Sequence, residues 1–193
     1  MTTYSVIAAD CPWAPKDKLP GAKRGAARNY NVLPVDKLCS FLVDNRIQVA
    51  ADAILFLWRL SSMQQEALDV ARSWGFVVKS EVVWQKLTPT GLHHFGMGRT
   101  VRASHETCLI CVRGRGGKLV RNHGIRSTFA APTPTEPNGR ARHSAKPPEF
   151  FSAVVEPMLG LPRDEVACVE IFARSRRIGW DAVGDQLPAQ EAA

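Results

Sequence analysis

Short apolar runs alternating with amphipathic, helix-like stretches predict an α/β fold with a mostly parallel central sheet and helices on both faces. Three observations carry this. The runs Tyr4 to Ala9, Ala53 to Trp58 and Val166 to Phe172 are largely apolar at consecutive positions, as strands buried on both sides are. The stretches between them repeat apolar residues at helical spacing. A chain of 193 residues, 45% hydrophobic with five Trp and eight Phe, suffices for one full core, expected over residues 1 to 187 with a short tail at 188 to 193.

Tyr4 to Ala9 reads as the first strand, ending in Asp10-Cys11-Pro12-Trp13. Residues 16 to 28, rich in Lys, Arg, Gly and Ala, read as a long loop. Pro34 begins a helix with Leu38, Phe41 and Leu42 on one face, and proline suits the first turn because its missing N–H would have no partner there. After the Ala53 to Trp58 strand, Ser61 or Ser62 is placed to cap a helix whose apolar face is Met63, Ala67, Val70, Ala71 and Trp74, with Gly75 as its stop. Val77 to Trp84 and Thr107 to Val112 read as strands, joined by a loop over residues 85 to 102. Residues 113 to 142 show little periodicity. A helix after Pro147 and Pro148 turns Phe150, Phe151, Val154, Val155 and Met158 inward, then the Val166 to Phe172 strand and a short ending around Trp180 to Gly184 complete the chain.

Composition narrows the function classes. No run approaches the length of a membrane helix, and the start lacks a signal-like segment, so a soluble, cytoplasmic protein without membrane contact is expected. The five cysteines are mostly embedded in apolar runs and read as reduced thiols. Cys108 and Cys111 lie three apart on a strand and so face opposite sides, which argues against a zinc site; no metal is expected. The net charge of +7 is concentrated between residues 99 and 142. There Arg99, Arg102, Arg113, Arg115, Lys118, Arg121, Arg126, Arg140 and Arg142 face only Glu106 and Glu136, a field that favours a polyanion. Dinucleotide, P-loop and nucleophile-elbow signatures are absent, and Arg113 to Gly117 lacks their spacing.

In such a sheet ligands sit beyond the carboxyl ends of strands, where residues 10 to 13 and 174 to 177 fall. The Asp10 carboxylate can accept one hydrogen of an aromatic amine and the Cys11 carbonyl the other, which orients the nitrogen lone pair. Pro12 stiffens the turn, and Trp13 offers a face for a base. The alternative is a strand-ending turn with an Asp cap.

Asp10-Cys11-Pro12-Trp13 resembles the Asp-Pro-Pro-Trp motif of the MT-A70 family of adenine-N6 methyltransferases. Further segments fall in the family's order: Phe56-Leu57-Trp58; Gly75-Phe76 with Val83-Trp84-Gln85-Lys86; Ser104-His105-Glu106-Thr107-Cys108-Leu109; His143-Ser144-Ala145-Lys146-Pro147; Glu170-Ile171-Phe172-Ala173-Arg174; and Gly179-Trp180-Asp181 through Gly184-Asp185-Gln186. The resemblance covers nearly the whole chain. It implies a Rossmann-like class I methyltransferase fold in permuted motif order, with S-adenosylmethionine as cofactor.

By this resemblance Asp10, Cys11, Pro12 and Trp13 form the target-amine site, with Asp10 also near the methionine end of the cofactor. Lys146 meets the cofactor carboxylate; read without the family it is a solvated lysine at a helix start. Arg174, Arg176 and Arg177 form the ribose segment, Asp185 and Gln186 the adenine side, and Glu170 contributes to the pocket or pairs with a neighbouring base. The substrate contacts implied are Trp13, Tyr30, Trp58, Arg99, Arg102 and His105. Trp58 equally suits core packing, and His105 equally suits a polar strand start.

Two departures concern the site: Cys11 replaces a family proline, and Arg176 and Arg177 replace polar residues. No target-recognition domain is evident, so selectivity falls to the chain's own loops, a second copy or an accessory partner. The expected activity is methyl transfer to adenine N6 in DNA, as in small prokaryotic or phage members. RNA methylation and a silent nucleic-acid-binding subunit are the alternatives.

Overall fold

Val6, Ile7, Ala8 and Ala9 are almost wholly buried, as consecutive apolar residues must be when a strand has covered faces on both sides. They make β1 (Thr3–Asp10) central in the computed structural model, which describes residues 1–15, 31–96, 98, 100–136, 139, 142 and 144–187. The expected loop at 16 to 28 and the tail at 188 to 193 lie outside the described residues. Further elements are α1 (Val35–Asp44), β2 (Gln48–Arg59), α2 (Gln64–Ser73), β3 (Val77–Leu87), β4 (His105–Arg113), β5 (Thr128–Pro132), α3 (Glu156–Leu159), β6 (Cys168–Ile171) and β7 (Asp181–Val183).

These strands form a seven-stranded sheet in the order β5-β3-β4-β2-β1-β6-β7. β1 is parallel to β2 and β6, β6 to β7, and β3 to β5, whereas β4 is antiparallel to β2 and β3. The sheet is therefore mostly parallel with one reversed strand. That reversal positions the site: Thr107 near the start of β4 pairs with Arg59 at the end of β2, while Trp58 pairs with Asp10 at the end of β1. The entry to β4 and the exits from β1 and β2 thus share one edge.

Side-chain alternation divides the core into two clusters. Ile7, Ala9, Leu55, Leu57 and Cys111 join Leu38 and Leu42 of α1 and Ala67, Val70 and Ala71 of α2. Val6, Ala8, Ile54, Phe56 and Cys108 join Phe150, Phe151, Val154, Val155 and Leu159. Cys108 and Cys111 fall in different clusters, as their spacing requires.

Several local expectations need correction. Pro34 is extended and precedes α1 as its N-cap rather than occupying the first turn. The N-cap of α2 is Met63, which cannot cap with its side chain, so neither Ser61 nor Ser62 does that work. Residues 113 to 142 contain regular structure: a 3-10 turn at Gly116–Leu119 and the edge strand β5. A Cβ on Gly116 would stand 1.9 Å from the Ala53 carbonyl oxygen, so one glycine of this stretch serves close packing on β2. The segment after Pro148 begins as wide π-type turns, Phe150–Val155, before tightening into α3.

Candidate active site

At the end of β1 the chain folds sharply around Pro12. The Trp13 amide donates to the Cys11 carbonyl at 2.9 Å, and the Leu33 amide donates to the Pro12 carbonyl at 2.8 Å. The Trp13 indole N–H donates to the Trp58 carbonyl at 3.0 Å, and its ring is only 3% exposed within the first core cluster. Trp13 borders the site cavity, but its ring is almost wholly buried in the core cluster and leaves little of the open stacking face expected of it. Burial stabilises that ring more than solvent would, so its position anchors the turn. Cys11 is also buried, and desolvation pushes its thiol well above its usual range, which leaves it protonated at neutral pH. Its carbonyl keeps a second lone pair after accepting from Trp13.

Asp10 belongs to a chain of alternating charges. Lys146 Nζ donates to Asp10 Oδ1 at 2.7 Å and lies 3.2 Å from Glu106 Oε2, while Lys86 Nζ pairs with Glu106 Oε1 at 2.5 Å. The Lys146 side chain is 12% exposed, far from a solvated helix-start lysine, and its ammonium sits 5.4 Å from the centre of the Trp58 ring. Burial opposes charge on Lys146, but Asp10 and Glu106 more than offset it and raise its pKa. Burial likewise opposes charge on Glu106, yet Lys146 and Lys86 hold its carboxyl below the usual range. Asp10 goes the other way: burial outweighs Lys146, and its pKa is raised. The directions agree, because Glu106 has two lysines while Asp10 shares one with Glu106.

Two neighbouring cavities meet at these groups. The first is lined by Asp10, Cys11, Pro12, Trp13, Glu106, Ser144, Lys146, Phe172, Arg174, Asp185 and Gln186. The second, about 220 Å³, shares Asp10, Lys146, Phe172 and Arg174 and adds Trp58, Glu170 and Arg177. Burial raises the Glu170 pKa, partly opposed by Arg177. Arg177 lays its guanidinium 3.6 Å from the centre of the Phe151 ring, and its buried Nε has no hydrogen-bond partner among the described residues.

The backbone is shaped to the first cavity. Phe172 and Ser144, both in its wall, have φ of 61° and 58°, uncommon for side-chain-bearing residues and characteristic of positions held by their surroundings. The Ala173 amide donates to the Val183 carbonyl at 3.0 Å, and a Cβ on Gly184 would stand 2.2 Å from the Ala173 oxygen. Glycine permits the approach that brings Asp185 and Gln186 alongside Phe172 and Arg174.

Other expected residues lie elsewhere. Arg176 lines a separate depression with Arg163, Ile178 and Trp180, and borders neither of these cavities. Arg102 and His105 are exposed and also absent from both walls. Trp58 is buried against Trp84 and Phe150, so it combines core packing with a place in the second wall. Tyr30 and Arg99 lie outside the described residues.

Glu106 and Lys86 escaped the sequence reading as site residues. The available signal was an acidic residue entering an apolar strand within an otherwise basic region, since a carboxylate there needs a buried partner.

Against known proteins, a family model described as MT-A70 matches residues 4–186. The chain is also 27% identical to the type II methyltransferase M.MunI of a Mycoplasma species, over an alignment of 202 residues covering 96% of this chain and 78% of that relative.

Proposed function

The chain belongs to the MT-A70 family, and from that premise we propose that it transfers a methyl group from S-adenosylmethionine to the N6 amine of adenine in DNA. The observation that carries this reading is the shared wall of the first cavity. Asp10 and Cys11 stand there with Lys146, Arg174, Asp185 and Gln186. The name of the M.MunI relative supports methyl transfer.

The donor set suits the cofactor. Lys146 and Arg174 offer cations to its carboxylate, Asp185 and Gln186 offer acceptors and donors to its adenosine, and Arg177 Nε, unpartnered among the described residues, offers a hydrogen bond in the adjoining cavity. Glu170 lies beside Arg177 in that cavity and suits a hydroxyl-rich group. When bound, S-adenosylmethionine supplies an electrophilic methyl group on a positively charged sulfur.

The chain's own contribution is orientation. Lys146 occupies Oδ1 of Asp10, leaving Oδ2 to accept one amine hydrogen while the second lone pair of the Cys11 carbonyl accepts the other. Two acceptors turn the nitrogen lone pair away from the ring, and fixed geometry supplies much of the rate. The proton that the methylated nitrogen must release passes to the Asp10 carboxylate and then to solvent. Trp13 holds the turn that presents both acceptors.

The reversed β4 and the two helix-bearing core clusters support a Rossmann-like class I fold with helices on both faces. The amine-binding strand precedes the strands leading to Arg174 and Asp185, which supports the permuted order. On duplex DNA the adenine must leave the stack, and the basic residues between 99 and 142 suit the phosphate backbone.

The test supplies S-adenosylmethionine with matched DNA and RNA, then identifies the modified nucleoside after hydrolysis. N6-methyldeoxyadenosine from DNA is expected; transfer to RNA alone overturns the substrate assignment.

A further inference from the structure

Trp13 is almost wholly buried and borders only the cavity at Asp10, so aromatic contact with a nucleic acid beyond that cavity needs another side chain. Among the described residues Phe95 is the only exposed aromatic: its relative exposure is 75%, whereas every other described Phe, Trp and Tyr is buried or half-buried. It lies on the connection from β3 to β4, which also exposes Leu92 and Val101.

This is an ordered presentation. The His94 amide donates to the Lys86 carbonyl at 2.9 Å and the Gly96 amide to the Ala103 carbonyl at 3.1 Å, so the backbone on both sides of Phe95 is held. The Arg102 guanidinium stands 4.9 Å from the ring centre. Residues 88 to 104 contain no acidic residue, and the exposed Leu92, Phe95 and Val101 stand there in one stretch with His93, His94 and Arg102. That combination complements bases flanked by phosphates.

The connection leaves β3 and enters β4 at the edge where β1 ends. Three strand spacings separate β3 from β1, and Val82 is the β3 residue level with Asp10, so Leu87 at the root of the loop lies on the order of 20 Å from Asp10. That is roughly six base-pair steps. Phe95 does not line either cavity at Asp10, so its partner lies outside the adenine pocket.

We infer that Phe95 is a base-stacking residue for DNA, inserting several base-pair steps from the extruded adenine with Arg102 against the neighbouring phosphates. The inference rests on the nucleic-acid reading of the site and assigns its exposed contact.

The test uses the full chain and a fluorescein-labelled, adenine-rich duplex at fixed salt. Phe95→Ala should bind about 5- to 100-fold more weakly, the range expected for one lost base stack. Phe95→Trp should restore binding, and its indole fluorescence should be quenched by DNA above the background of the native tryptophans. Unchanged binding by Phe95→Ala, or DNA binding without quenching of Phe95→Trp, overturns the assignment. So do indole changes that follow protein concentration instead of DNA, which mark a surface between copies of the chain, and failure of wild type to bind DNA. The methylation assay separates the two readings: wild type that methylates DNA while both Phe95 variants behave identically loses only the stacking role. DNA-dependent quenching in a chain that methylates nothing loses only the catalytic assignment.

Discussion

Replacing Glu106 by Gln keeps its shape and removes the anion between two lysines. Lys146 retains Asp10 at 2.7 Å, but Lys86 loses the ion pair it makes at 2.5 Å, with 18% of its side chain exposed. Breaking a buried pair costs about 3 to 5 kcal/mol when the remaining charge is trapped; the partial exposure of Lys86 lets it reach water and argues for about 2 to 3 kcal/mol. For a chain of this length that lowers Tm by roughly 5 to 10 °C. The pH dependence gives a second check. The folded-state pKa of Glu106 is depressed, so its contribution is present above the unfolded value near about 4.3 and disappears as pH falls through the folded value. Urea unfolding of wild type and Glu106→Gln should therefore show a full stability gap at neutral pH that closes under acid. Equal stability at neutral pH, or a gap that stays constant into acid, refutes the shared-lysine account.

Asp10→Asn should retain the fold and cofactor affinity within a few-fold and lose about 100-fold or more in kcat, as for loss of an oriented polar contact in a reacting site. Wild-type activity should rise with pH through the Asp10 pKa, which burial raises from its usual value, because the ionised form accepts the amine; the residual activity of Asp10→Asn should lack that limb. A pH profile of single-turnover transfer checks both, and an unchanged acid limb removes Asp10 from the role. Gly184→Ala forces a Cβ to within 2.2 Å of the Ala173 backbone oxygen, so it should cost about 1 to 3 kcal/mol and weaken S-adenosylmethionine binding measured by calorimetry. Unaltered affinity in a folded variant contradicts the placement of Asp185 and Gln186 at the cofactor.

The central strands were legible because their burial on both faces leaves continuous apolar runs, as in Val6 to Ala9 and Ile54 to Trp58. β5 was not. Thr128–Pro132 is five residues long and ends in a proline, which an edge strand tolerates because its outer side has no ladder to complete. The apolar face of α2 was legible, including buried Met63 and Trp74, but its start was not, because Met63 caps without a side-chain hydrogen bond. Motif order singled out Asp10 and Lys146, which the structure brings together at 2.7 Å in one cavity wall. The direction of the Trp13 ring was not, since it depends on the distant Trp58 carbonyl.

The same limit explains Glu106 and identifies the use of the reversed strand. A parallel strand at that place in the sheet would present its amino end at the opposite edge, away from Asp10. Running β4 backwards carries Glu106 to the edge where β1 ends, where it draws Lys146 into a position shared by two carboxylates. A lysine bound wholly to Asp10 would offset more of the rise that burial causes in its pKa and compete for both acceptor oxygens. Sharing leaves Asp10 near enough to a cation to ionise, yet with Oδ2 outside the ion pair, the oxygen proposed to accept from the amine. The acidic residue at the start of β4 thereby governs the acceptor at the end of β1, although neither residue type nor local spacing announces the connection.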